Sequence, residues 1–187
     1  MNSSQQVSDY IFFYPNVMDK KTCEAITTSY EKTAMWHKST FYDGKKDTGT
    51  SQVAMQELWI NNEMPYFEEL KKSFAICTDD YKSVYKTLDY SLTCTNFRLN
   101  FYREGGFMNQ HIDNIHHSHG QQYGYPHITS LIFLNDDYEG GEFVICGDKQ
   151  IEKKQGSAII FPSNFMYPHE VKKVTKGKRF SVMTWIM

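Results

Sequence analysis

From residue 92 to its last residue, the chain is written in short strand-forming runs separated by glycine turns, and that texture narrows the fold more than any other feature. Segments 93–102, 127–134, 142–146, 149–152, 157–161, 170–174 and 179–186 are rich in β-branched and aromatic residues. Glu104-Gly105-Gly106, Glu139-Gly140-Gly141 and Gly147-Asp148 interrupt them. Short strands repeating at about 8–12 residues with such turns predict an antiparallel sandwich or barrel. The first ninety or so residues read differently. A short strand at 11–14 precedes Asp19, an N-cap for a helix over 20–34 with Cys23, Ile26 and Tyr30 near helical spacing. A loop over 41–50 and a strand over 53–60 follow, then Pro65 opens a second helix reaching residue 76, with a further helical stretch over 79–87. The expected architecture is mainly β with N-terminal helices, a single domain over 1–187. Its helical support region covers about 1–90 and its jelly-roll (cupin-like) core about 92–187.

Within the strand-rich half, His111-Ile112-Asp113 places two metal-ligand types two residues apart, so on an extended strand both leave one face. Taken alone the pattern is common, and a hard carboxylate with a borderline imidazole suits Fe(II), Mn(II) or Zn(II) alike. His169 comes 56 positions after Asp113 (169 − 113), so a third ligand must arrive from a distant strand. Two histidines and one carboxylate on one face leave the opposite coordination positions open, the arrangement a non-haem iron needs to bind a chelating co-substrate together with dioxygen. Ten residues further on (179 − 169), Arg179 and Ser181 head an otherwise apolar strand and share one of its faces. A guanidinium fork beside a hydroxyl is a carboxylate receptor. Trp185 lies on the same face by even spacing, as a wall of the metal pocket or as ordinary core.

Composition excludes several classes. A net charge of −2 with no basic block argues against a nucleic-acid partner, because phosphate neutralisation supplies most of that affinity. No apolar run approaches the ~20 residues of a membrane helix and no signal-peptide core is visible, so a cytoplasmic, membrane-free protein is expected. The four cysteines are far apart and form no CxxC, which predicts free, mostly buried thiols in a reducing compartment.

His111-x-Asp113, His169 and Arg179-x-Ser181 together resemble the signature of the Fe(II)/2-oxoglutarate-dependent dioxygenases, and the flanking text is similar to their prolyl 4-hydroxylase-like branch. The blocks that carry the likeness are Asn100-Phe101-Tyr102-Arg103-Glu104-Gly105-Gly106 before the HxD, Thr129 to Asn135 with Glu139-Gly140-Gly141-Glu142, and Gly156 to Pro162. They span about half the chain. The resemblance implies a double-stranded β-helix with His111, Asp113 and His169 as ligands of Fe(II). It implies 2-oxoglutarate as co-substrate, with Arg179 and Ser181 on its distal carboxylate and Tyr102 lining the pocket. Thr129, which alternates inward on the strand facing the site, is a further co-substrate contact, and Asn100 a substrate-pocket candidate. Dioxygen and, as reductant, ascorbate complete the expected set. Some relatives place a tyrosine hydroxyl against the co-substrate where this chain has Phe133, which shifts carboxylate recognition towards Arg179, Ser181 and Thr129.

The implied activity is hydroxylation of a C–H bond of a prolyl residue in a peptide or protein, with release of succinate and carbon dioxide. Three alternatives stay open: an AlkB-type nucleic-acid demethylase, a hydroxylase of free amino acids or other small molecules, and a non-catalytic cupin-like binding module. The first usually carries a second arginine downstream, whereas Arg179 is the last arginine here. Oligomeric state is not legible. The loop 114–126, with His116, His117, His119, Tyr123 and Tyr125, reads as a polar lid over the substrate rather than a second metal site, and 40–51 as another lid. Tyr123 and Tyr125 are therefore substrate-pocket candidates as well.

Overall fold

A computed structural model describes residues 6–40, 52–88, 93–114 and 125–187. In the first part, strand β1 (Phe12–Tyr14), helix α1 (Lys20–Glu31), strands β2 (His37–Lys38), β3 (Val53–Ala54) and β4 (Gln56–Ile60), and helix α2 (Phe67–Val84) follow one another. The second part contains β5 (Phe97–Tyr102), β6 (Phe107–His111), β7 (Ile128–Phe133), β8 (Glu139–Gly140) and β9 (Phe143–Ile145). It continues with β10 (Lys149–Ile151), β11 (Ala158–Pro162), β12 (His169–Val171), β13 (Val174–Lys176) and β14 (Arg179–Ile186).

A major sheet runs in the order β1-β11-β7-β14-β5-β4-β2, and a minor sheet in the order β10-β9-β12-β6-β3. Strands β8 and β13 form a separate pair. All the named pairings are antiparallel, as the glycine-punctuated pattern predicts. The chain is mainly β, with a jelly-roll core and helices from its first half.

Side-chain alternation divides the interior into two layers. From the outer face of the major sheet, Leu58, Ile60, Phe97, Leu99, Phe101, Ile132, Phe180, Val182 and Ile186 pack against Cys23, Ile26 and Tyr30 of α1 and Leu70, Phe74, Cys77 and Tyr81 of α2. The rings of Phe101 and Phe180 stack 4.3 Å apart at 9° across β5 and β14, and Trp36 lies 5.3 Å from Phe101 and 6.5 Å from Phe180. Such aromatic pairs add about 0.5–1.5 kcal/mol beyond area burial. The inner face carries Tyr102, Leu131, Phe133, Met183 and Trp185 towards Met108, Phe143, Ile145 and Val171 of the minor sheet. Because one face meets helices and the other meets a second sheet, β5, β7 and β14 are buried along their whole length.

Three local expectations are corrected. The strand read over 53–60 divides, β3 joining the minor sheet and β4 the major one. The predicted break near residue 77 is absent: Leu70, Phe74, Cys77 and Tyr81 continue one buried stripe at spacings of four and three, so α2 runs unbroken to Val84. The predicted strand over 170–174 divides at the exposed Lys172-Lys173, where the chain leaves the minor sheet and crosses to β8. The Asp19 N-cap forms as read, its carboxylate accepting from the Thr22 amide at 2.9 Å. Neither described helix is long and apolar enough to cross a membrane.

All four cysteines are free, Cys23 and Cys77 fully buried, Cys146 half-buried and Cys94 exposed. Burial pushes the thiols of Cys23 and Cys77 up to about 12. At pH 8 iodoacetamide is expected to leave these two unmodified in the native protein and to label them fully in guanidinium. Native labelling at the rate of an exposed thiol would show that the helices do not seal the outer face.

Candidate metal centre and co-substrate pocket

His111 is the last residue of β6, and antiparallel pairing sets it opposite His169, the first residue of β12. That register brings together residues far apart in sequence and places the imidazole centroids 4.3 Å apart. Asp113 lies just past the end of β6, in a bend and not on the strand as the HxD spacing suggested. The next residue holds the bend in place: the Asn114 amide donates to the Ser163 carbonyl at 3.0 Å, and its side chain donates to the Pro126 carbonyl at 2.9 Å. Asp113 Oδ1 then lies 3.6 Å from His111 Nε2, and Oδ2 lies 3.6 Å from His169 Nε2. One ligand atom from each of the three residues falls within 4.8 Å of the others.

Neighbouring groups aim these side chains. His111 Nδ1 faces the Asn109 carbonyl at 2.9 Å and His169 Nδ1 faces the Tyr167 carbonyl at 3.1 Å. A carbonyl only accepts, so each Nδ1 carries the proton and each Nε2 lone pair is left for a metal. Thr129 Oγ1 donates to Asp113 Oδ2 at 2.6 Å and takes a second hydrogen bond from Ser163 Oγ at 2.8 Å. The ring of His169 is held between Phe143, stacked at 5.4 Å, and Phe161, edge-on at 5.1 Å.

Electrostatics favour a cation here. Burial works against ionisation of Asp113, but the two histidines and the Thr129 hydroxyl outweigh it and hold the carboxyl well below the usual range. Burial, with His111 beside it, lowers His169 to about 4. An ionised carboxylate beside a neutral imidazole is the protonation pattern a divalent metal requires.

Further along the inner face of β14 lies Arg179, fully buried. Its Nε donates to the Gly141 carbonyl at 3.1 Å and Nη1 to Ser181 Oγ at 3.0 Å, while Nη2 has no hydrogen-bond partner among the described residues. The guanidinium lies over the ring of Tyr102 at 4.9 Å and near Phe133 at 5.7 Å. Gly141 is required for this approach: its φ is +63°, and a Cβ there would come within 3.1 Å of Arg179 Cδ. No carboxylate of the described residues pairs with this buried cation, and an uncompensated buried charge costs several kcal/mol. The site therefore fits an anionic group reaching Nη2.

The structure gathers most of the side chains read from the sequence. Tyr102 and Arg179 are cross-strand neighbours, as are Asn100 and Ser181, and Trp185 and Thr129. Thr129 donates its hydroxyl hydrogen to Asp113 of the His-Asp-His cluster. Asn100 accepts from Arg98 Nε at 2.9 Å. Tyr125 is exposed, and Tyr123 with His116, His117 and His119 lies outside the described residues, as do residues 41–51 of the other expected lid. Two groups escaped sequence reasoning. The Tyr138 hydroxyl is buried without a hydrogen bond among the described residues; burial raises its pKa and the nearby Arg179 charge offsets part of that rise. Arg98, on the same inner face, forms an ion pair with Glu57.

Residues 97–187 match the sequence model of the 2OG-Fe(II) oxygenase superfamily. A PKHD-type hydroxylase of Psychrobacter sp. (strain PRwf-1) is 35% identical over 92 residues, 46% of this chain and 35% of that protein. Human prolyl 3-hydroxylase 2 is 41% identical over 69 residues, 34% of this chain and 10% of that one. The matched region thus spans little more than a third of the first relative and a tenth of the second. Among solved structures, the viral collagen prolyl hydroxylase of Paramecium Bursaria Chlorella virus-1, in its 2OG complex, superposes with a TM-score of 0.73 at 16% identity, covering 97% of this chain and 98% of that one. A prolyl hydroxylase of Trichoplax adhaerens, bound to a hypoxia-inducible-factor peptide fragment, gives 0.76 at 17% identity over 96% and 84%. Fold, matched segment and the His-Asp-His cluster agree: residues 97–187 belong to the 2OG-Fe(II) oxygenase superfamily, and the chain is similar to prolyl and PKHD-type hydroxylases.

Proposed function

We propose that this chain is an Fe(II)- and 2-oxoglutarate-dependent dioxygenase that hydroxylates a prolyl residue of a peptide or protein. The observation that carries the reading is the fully buried, incompletely bonded Arg179 on the inner face that also bears the metal triad's support. The likeness to named prolyl and PKHD-type hydroxylases supports the substrate class.

His111, Asp113 and His169 would hold Fe(II), which with 2-oxoglutarate and dioxygen supplies the oxidation that hydroxylates a C–H bond and leaves succinate and carbon dioxide. The rest belongs to the protein. Arg179 anchors the distal carboxylate of the keto-diacid, with Ser181 fixing one arm of its fork and Tyr102 beneath it. Tyr138 supplies the hydroxyl that Phe133 lacks. Leu131, Phe133, Phe161 and Met183 keep the space between receptor and metal dry, which strengthens each electrostatic contact there. Ser163 and Thr129 hold Asp113 in the orientation that ligation needs.

With Fe(II), ascorbate and a panel of proline-containing peptides, a product heavier by one oxygen and dependent on 2-oxoglutarate is expected by mass spectrometry. Arg179→Gln should raise the KM for 2-oxoglutarate on the order of 100-fold, the loss of a buried charge-paired contact. No oxidised product from any peptide, or an unchanged KM in the variant, would reject the assignment. Thr129→Val should weaken Mn(II) binding, followed by electron paramagnetic resonance, about 10- to 100-fold, as loss of an outer partner of a ligand does. Thr129→Ser should restore most of it. Equal affinity in all three proteins would remove the positioning role.

A further inference from the structure

Arg98 is the least explained charge in the molecule. It sits mid-strand on β5, and β5 alternates: Phe97, Leu99 and Phe101 join the outer core, whereas Tyr102 faces the metal side. By that parity Arg98 and Asn100 share the face of Tyr102. The residue is 6% exposed. Its Nε donates to Asn100 Oδ1 at 2.9 Å, and its Nη1 lies 3.6 Å from Glu57 Oε2, too long for a hydrogen bond. Neither terminal amino group makes a hydrogen bond among the described residues. Unlike Arg179, which is fully buried, the Arg98 side chain keeps 8% of its surface exposed.

The surroundings resemble a subsite. The guanidinium lies over the Trp185 ring at 5.1 Å, and Trp59 packs against Trp185 at 5.9 Å. Trp185 is the cross-strand neighbour of Thr129, whose hydroxyl holds Asp113. A row of polar side chains thus leads from the carboxylate receptor (Arg179, Ser181) through Asn100 to Arg98 and Glu57. A pair carrying both charges is neutral, so Glu57 would repel a lone carboxylate placed against Arg98. A dipolar partner suits it better. In an extended chain, one residue directs its N–H and its carbonyl to the same edge, as the exchange of both hydrogen bonds in an antiparallel pair requires.

We propose that Arg98 and Glu57 form the main-chain anchor of a peptide substrate: Arg98 donates to the carbonyl of one extended residue and Glu57 accepts its N–H, over a floor of Trp185 and Trp59. This rests on the peptidyl-hydroxylase reading above. Proline has no N–H, so the residue held is a neighbour of the target proline and not the proline itself.

The test is steady-state kinetics with a proline peptide, alongside Arg98→Gln, Arg98→Lys and Glu57→Gln, and with peptides N-methylated one position at a time on either side of the proline. The anchor predicts a rise in peptide KM of about 10- to 100-fold in Arg98→Gln, with kcat falling much less, and a smaller rise in Arg98→Lys. One N-methylated position should cost wild type as much as Glu57→Gln costs the unmodified peptide, and the two should not add. Thermal melting and 2-oxoglutarate affinity with Mn(II) identify variants that fail to fold; the lysine variant and the N-methyl scan carry the test if the glutamine variants do. A lower melting temperature with unchanged peptide KM overturns the anchor and leaves prolyl hydroxylation standing. Turnover of free amino acids but of no peptide overturns both.

Discussion

The pairing of β12 with β6 is the constraint on which the rest depends. It sets His169 opposite His111, so the ladder of main-chain hydrogen bonds fixes the separation of two ligands that local sequence could never hold together. The third ligand is placed differently. Asp113 sits in a bend, tied to β7 through Thr129 and to the Ser163 carbonyl through the Asn114 amide. Two members of the His-Asp-His cluster are thus carried by the minor sheet, and the third is steered by a hydroxyl of the major sheet. The centre forms only where the two sheets meet, which is why the inner face of the sandwich, and not a surface loop, is the place of the site.

The burial pattern makes that inner face rigid. With α1 and α2 over one side of the major sheet and the minor sheet over the other, its central strands have no solvated face. Polar groups there are expensive unless paired, and most of them are paired. Ser181 is satisfied by Arg179, Thr129 by Asp113 and Ser163, and Asn100 by Arg98. Arg179 Nη2, the Tyr138 hydroxyl and the Ser130 hydroxyl make no hydrogen bond among the described residues. An anion reaching Arg179 Nη2 would compensate the buried guanidinium.

Much of this was legible in the chain. The strand texture after residue 92 and the even spacing of Arg179, Ser181 and Trp185 each depend on a period of two that survives folding unchanged. What stayed hidden depended on register between distant strands. Glu57 and Arg98 look like ordinary polar residues of two strands until β4 and β5 pair in the register that sets Glu57 beside Asn100 and Trp59 beside Arg98. Thr129 read as a pocket hydroxyl because alternation predicted its face correctly but not its partner. Tyr138 gave no signal, because it lies just before the two glycines and no period applies in a turn. The break predicted between residues 76 and 79 is overridden by the buried stripe that runs through α2.

Because β14 carries Arg179 near one end and Trp185 near the other, the two side chains are laid out along a single hydrogen-bonded strand. A strand rises about 3.3 Å per residue and hardly stretches, so those six steps amount to a ruler of roughly 20 Å. The separation of guanidinium and indole is then set by the backbone and not by an adaptable loop, and drifting side chains on the outer face would leave it untouched.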